Sequence, residues 1–242
     1  MRRFAVTGLA VLCIGLLCGP AAKADSSLQS VLFNVNGTVQ TNYAGFNTGA
    51  WNASTGIGTL TYVFSPAAPG TYNFTSFFDN QLSAPFWNEF GGTSGAPVAG
   101  QSWEIGDSFA SSIYADATAG ALTNSNMLPG QADNFLQTCT AGATCNGDAA
   151  LGMGFHFVLT PGQEAVITFT FSTTPPQGGF FLDQTHPIDA GNNTGSTIYF
   201  TGSEVARGVV VGAPEPSSLL LLGLALGAMC LLMGRRSVSH SV

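Results

Sequence analysis

The chain is predicted to be all-β, a single β-sandwich of jelly-roll-like kind, flanked by an N-terminal signal helix and a C-terminal transmembrane helix. Three observations predict this. Between the two ends hydrophobicity alternates with a period of two, not 3.6: Leu60, Tyr62 and Phe64, then Phe155, Phe157 and Leu159, then Ile167, Phe169 and Phe171 take every second position. The alternating runs are short and are separated by Gly, Pro and Asn clusters, as in sandwiches and barrels built from many turns. Charge-free apolar runs of helical length occur only at the termini.

At the front, Met1-Arg2-Arg3 and then Phe4 to Leu17 form a basic and an apolar region, and Ala22-Lys23-Ala24 places small residues at a cleavage site. This is the pattern of a Sec-type signal peptide. Residues 1–24 are assigned to it, with Ala22 and Ala24 at the cut and Asp25 as the mature N-terminus. Cys13 and Cys18 each follow a leucine, where lipoprotein processing needs a small residue.

Residues 25–213 then form the exported domain, long enough for one sizeable core. Strands are expected at 30–39, 58–65, 71–78, 103–110, 154–159, 165–172, 179–182, 197–201 and 205–211. Thr160-Pro161-Gly162-Gln163 separates two phenylalanine-rich runs, and Pro-Gly is a turn dipeptide, so 154–172 reads as a β-hairpin with its phenylalanines on the core face. Residues 91–100, GGTSGAPVAG, have the composition of a flexible loop. Residues 124–145 form a second polar, irregular stretch. It holds Cys139 and Cys145, the only cysteines outside the termini; in an oxidising compartment they are expected to form a disulfide closing a short loop. Two cysteines alone make a poor zinc site.

Charge is the most unusual property of this domain. Arg2, Arg3, Lys23, Arg235 and Arg236 all lie outside it, so Arg207 is its one cation against twelve acids, a net charge of −11. Binding to nucleic acid or to anionic lipid needs clustered Lys and Arg and is excluded. Calcium and neutral polymers are compatible with such a surface, which is rich in Ser, Thr, Asn and Gln.

Candidates for chemistry are few. His156 sits between Phe155 and Phe157 and so belongs to the opposite, solvated face. Asp183, His186 and Asp189 are weak candidates for a metal site through one imidazole and two carboxylates, within a stretch that reads as a loop. Glu89, Glu104, Asp107 and Asp116 are the carboxylates available for a glycosidase-like pair. No G-x-S-x-G, H-E-x-x-H or phosphate-binding glycine loop occurs, and no catalytic residue is assigned. Trp51, Trp87 and Trp103, with Tyr43, Tyr62 and Phe86, are divided between core packing and a platform for stacking sugars, core being expected for most.

The tail has three parts in fixed order: Pro214-Glu215-Pro216, an apolar helix at 217–233 without a charge, and Arg235-Arg236. Two prolines hold the motif extended and accessible, seventeen apolar residues nearly span a bilayer, and the arginines stay cytoplasmic. The stretch 214–236 closely resembles the PEP-CTERM sorting signal, with 237–242 as a short cytoplasmic extension that the family usually lacks. The resemblance implies a substrate of a membrane exosortase, exported through the inner membrane of a Gram-negative bacterium. It further implies residence in the cell envelope, at the cell surface or in the extracellular matrix, in association with exopolysaccharide and biofilm. Before processing, the C-terminal helix would hold the chain in the membrane. Non-enzymatic surface or matrix protein is thus the expected function, and a carbohydrate-binding module or polysaccharide-active enzyme is the alternative.

Overall fold

Asn36 and Gly37 set the first strand pairing. Both have positive φ, 49° and 89°, the left-handed conformation that a two-residue hairpin turn requires and that Asn and Gly tolerate best. The strand expected at 30–39 is therefore two: β1 (Ser27–Val35) turns back into β2 (Thr38–Gln40), with Val35 opposite Thr38 and Phe33 opposite Gln40.

The computed structural model describes residues 26–82, 89–109, 111–128, 147–186 and 196–209, together with Leu224 and Leu226. The expected signal peptide at 1–24, with Ala22, Ala24 and Asp25 at its expected cleavage site, the cysteines Cys139 and Cys145, Phe86, Trp87 and Asp189 lie outside the described residues. So do Pro214, Glu215, Pro216, Arg235, Arg236 and all of 217–233 except those two leucines, which are helical and exposed. Among the described residues no helix is long and apolar enough to cross a membrane.

The chain continues through β3 (Phe46–Asn52), β4 (Ile57–Phe64), β5 (Gly70–Gln81), β6 (Phe90–Ser94), β7 (Gln101–Asp107), α1 (Ile113–Ala119), β8 (Ser125–Asn126), β9 (Ala149–Leu159), β10 (Gln163–Ser172), β11 (Phe181–His186) and β12 (Ser196–Gly208). These strands make two six-stranded sheets, ordered β2-β1-β5-β9-β7-β8 and β3-β4-β10-β12-β11-β6. The pairing is antiparallel apart from the short parallel contact of β7 with β8. The protein is all-β, as the alternation predicts.

Its core lies between the sheets. Phe33, Phe74, Phe78 and Phe155 come from the first, Leu60, Phe169, Phe171 and Phe200 from the second, and all are buried. Phe169 meets the rings of Phe33, Phe74, Phe78, Phe155 and Phe200 at centroid distances between 5.7 and 6.5 Å. Burying each such ring contributes roughly 1.5–3 kcal/mol.

Several expectations are corrected. β9 and β10 do not form a hairpin: β9 pairs with β5 and β7, β10 with β4 and β12. The Pro161-Gly162 turn carries the chain from one sheet to the other. Phe155 and Phe169 still face the core, but across it. β12 (Ser196–Gly208) is one long strand where two are expected, the strand expected at 179–182 begins later and runs to His186, and β6 occupies the first half of the supposed loop at 91–100. The short helix α1 has no counterpart in the sequence pattern. It ends at Gly120, whose φ of 73° caps the last turn as left-handed glycines do, and it covers the outer face of the first sheet, where Ile113 and Ala117 pack on Leu32, Phe77, Leu122 and Ala150.

Candidate functional site

Polar side chains gather inside the protein at one end of the sheets, where β5, β7 and β11 finish and β6 and β9 begin. Asp79, Asn80, Glu89, Asp148, Gln184 and His186 are each at most 6% exposed there. Strand alternation divides them. Leu182, Gln184 and His186 point inward from β11, as does Asn80, two residues beyond the core residue Phe78. Asp79 belongs with Phe77 to the outer face of the first sheet.

Glu89 ties the two sheets together. Its Oε1 accepts the Leu82 N–H (2.7 Å), and its Oε2 accepts the Gln184 side-chain amide (2.5 Å) and the Ala149 N–H (3.3 Å). The same Gln184 amide donates to the Asn80 carbonyl. Burial raises the Glu89 pKa to about 8 against these hydrogen bonds, and the charge of Asp148 adds to the rise.

On the outer face, Asp79 and Asp148 sit within electrostatic reach of each other. Burial, and then the charge of Asp148, push the Asp79 carboxyl up to about 7. Asp148 is likewise raised, first by burial. The Ser30 hydroxyl donates to Asp79 Oδ2 (3.4 Å) and the Ser108 hydroxyl to Asp148 Oδ2 (2.8 Å), while Oδ1 of each is buried without a hydrogen-bond partner. Asp107 uses its carboxylate on the turn after β7, accepting the Phe109 N–H (2.8 Å) and the Asp148 N–H (3.2 Å). The domain's one cation does not reach these acids: Arg207 Nε is bound to Glu164 Oε1 at 2.7 Å, where β10 begins and β12 ends. Burial thus raises the pKa of Glu89, Asp79 and Asp148 and favours the neutral form of each.

The residues singled out by sequence fall as follows. Asp183 and His186 are on a strand, not a loop, and three positions apart on a strand is opposite faces: Asp183 points outward, beside Gly92, and His186 inward with neither ring nitrogen hydrogen-bonded. They do not converge, and no group of three or more His, Cys, Asp or Glu among the described residues is placed to hold a metal ion. Glu104 lies under α1, accepts the Thr123 N–H (3.0 Å) and has its pKa raised by burial and, more weakly, by Asp116 of α1. Glu104 lies beside Asp116 under α1, whereas Glu89 and Asp107 both meet the start of β9, through the Ala149 and Asp148 N–H groups. Glu89 and Glu104 are fully buried. His156 is exposed. Trp51 packs on Tyr43, Phe78 and Phe171, Trp103 on Phe180 and Tyr62 on Phe46 and Phe74, so these aromatics border the core.

Asp79, Asp148 and Gln184 are not among the residues that sequence singles out. An acid embedded in an apolar run, as in Phe77-Phe78-Asp79 or Asp148-Ala149-Ala150-Leu151, is the available signal. An open groove of about 310 Å³ runs along β1 beyond the reach of β2, lined in part by Leu28, Ser30, Tyr43 and Tyr114. No family model, curated protein or solved structure matches the chain.

Proposed function

We propose that the protein is an exported, non-catalytic component of the cell surface or extracellular matrix of a Gram-negative bacterium. An exosortase sorts it, and it associates with exopolysaccharide in biofilm. One observation carries the reading: the ordered tail of Pro214-Glu215-Pro216, the apolar run 217–233 and Arg235-Arg236, set behind an N-terminal signal peptide on a domain without lysine. On this reading residues 1–24 are removed after Ala24, Cys139 and Cys145 form a disulfide outside the cytoplasm, and the 217–233 helix holds the chain in the inner membrane until the tail is cut near Pro216. The body is a jelly-roll-like sandwich. In support, the chain crosses repeatedly between the sheets, at β2 to β3, β4 to β5, β5 to β6, β6 to β7 and β9 to β10. Of the carboxylates considered for glycoside chemistry, Glu89 and Glu104 are fully buried and Asp107 is engaged by backbone N–H groups, which supports a role without catalysis.

The second reading, a carbohydrate-binding module or polysaccharide-active enzyme, draws on the groove flanked by Tyr43 and the exposed Tyr114. Expressing the full chain in a host with and without its exosortase tests the route. The sorted form is expected to lose the tail and leave the inner membrane only where the exosortase is present. Processing independent of exosortase would contradict it.

A further inference from the structure

The two sheets treat their outer faces differently. α1 packs on β1, β5, β7 and β9 of the first sheet and covers part of its outer face, leaving Val158 63% exposed, while on the second Val63 is 43% and Val205 57% exposed. Register places the outward residues of three neighbouring strands in rows. Thr61, Thr168 and Ser203 stand side by side, as do Thr59, Thr170 and Thr201. The result is a grid of six hydroxyls, spaced about 4.8 Å across strands and about 6.7 Å along them. A row of Val63, Val166 and Val205 borders it on one side; on the other stand Ser172, Tyr199 and Asp183, with Phe181 against Tyr199 at 5.7 Å.

Chemistry at this face is close to neutral. Glu164 and Arg207, opposite each other, close one end as an ion pair, Asp183 stands at the other, and no charged residue lies within the grid. Threonine is β-branched and stiff about χ1, and two hydrogen bonds hold these rotamers further: Thr59 Oγ1 to Thr170 Oγ1 at 3.0 Å, and the Thr201 hydroxyl donating to the Thr170 carbonyl at 3.4 Å. Each hydroxyl keeps further capacity to donate or accept. Positions fixed beforehand lower the entropy lost on binding.

We propose that this outer face of the second sheet binds a neutral, extended polysaccharide, its sugar hydroxyls bonded to the threonine rows and its C–H faces lying on the valine row and on Phe181 and Tyr199. A polyanionic chain is disfavoured, because the domain carries −11 and the face's one basic group is already paired. The inference rests on the proposed association with exopolysaccharide and specifies the face that makes it.

The test is co-sedimentation of the full chain with microcrystalline cellulose as the neutral probe, alginate as the anionic one, and the host's own exopolysaccharide. The combined Thr61→Val, Thr168→Val and Thr170→Val variant removes hydroxyls with little change of shape, Val63→Lys breaks the apolar row from an exposed position, and His156→Asn, on the outer face of the first sheet, is the control. The expected result is retention by cellulose and the host polymer but not alginate, weakened about tenfold in the triple valine variant and in Val63→Lys at an unchanged melting temperature, and undisturbed in His156→Asn. Host polymer held equally well by all variants would overturn the face while leaving the association standing. Wild-type protein that sediments with neither cellulose nor host polymer would overturn both. Arrest of ice growth without polymer binding would make ordered water, not a polysaccharide, the partner of the threonine grid.

Discussion

Glu89 shows what a single residue contributes. Its folded pKa near 8, like that of Asp79 near 7, lies above the ordinary carboxyl values of 4.5 and 3.8. Between the ordinary and the raised value the folded protein binds more protons than the unfolded chain. Stability is therefore fully present below the ordinary values and is lost as pH rises through 7 and 8, each pH unit between the two values being worth about 1.4 kcal/mol. The melting temperature is expected to fall from about pH 5 to about pH 9, and Glu89→Gln, which keeps the shape but cannot ionise, to remove part of that fall; scanning calorimetry across this range checks both. A melting temperature that rises with pH would mean that these carboxyls are charged and matched to a cation in solution. In the sequence Glu89 is one acid among thirteen. Its burial depends on Gln184 and Ala149 arriving from distant strands, so no local pattern marks it. Asp183 and His186 show the opposite error: their spacing suggests a shared site only on a loop, and a strand sends the two side chains apart.

Elements are legible where alternation is clean and obscured where glycine replaces a side chain for packing reasons. β4, β5, β9 and β10 announce themselves through their phenylalanines and tyrosines. β6 reads Phe-Gly-Gly-Thr-Ser, the composition of a loop, yet a Cβ on Gly91 would collide with Ile105 Cγ2, so glycine there makes room for the core. At Gly58 a Cβ would collide with the Ala50 carbonyl oxygen, and φ is +124°, beside the bulge between β3 and β4. Gly58→Ala is expected to cost about 2 kcal/mol or more in chemical denaturation. Alternation alone does not distinguish a hairpin from a crossing between sheets, since either puts the phenylalanines of β9 and β10 into the core. Phe169→Ala separates the cases energetically. With ring contacts to both sheets it should lose about 3–5 kcal/mol, whereas a ring at the margin of a lone hairpin would lose far less. Seven residues of α1 are too few for a helical period to stand out, and its stability comes from packing on Phe77 and Leu32 rather than from its own turns.

At the scale of the whole molecule, composition and alternation carry most of what is legible: all-β, acid-rich and without lysine in the body. Which strand neighbours which is not, because pairing depends on contacts far apart in sequence. Replacing Pro214, Glu215 and Pro216 together with alanine is expected to leave the chain unprocessed in the inner membrane, read by fractionation and by its intact mass; normal release of that variant would remove the sorting role of the motif. The most direct measurement of a non-catalytic matrix role is to sediment the purified protein with its host's exopolysaccharide and then size the polymer. Co-sedimentation with polymer length unchanged is predicted. Shortened polymer would contradict that role and make the protein an enzyme.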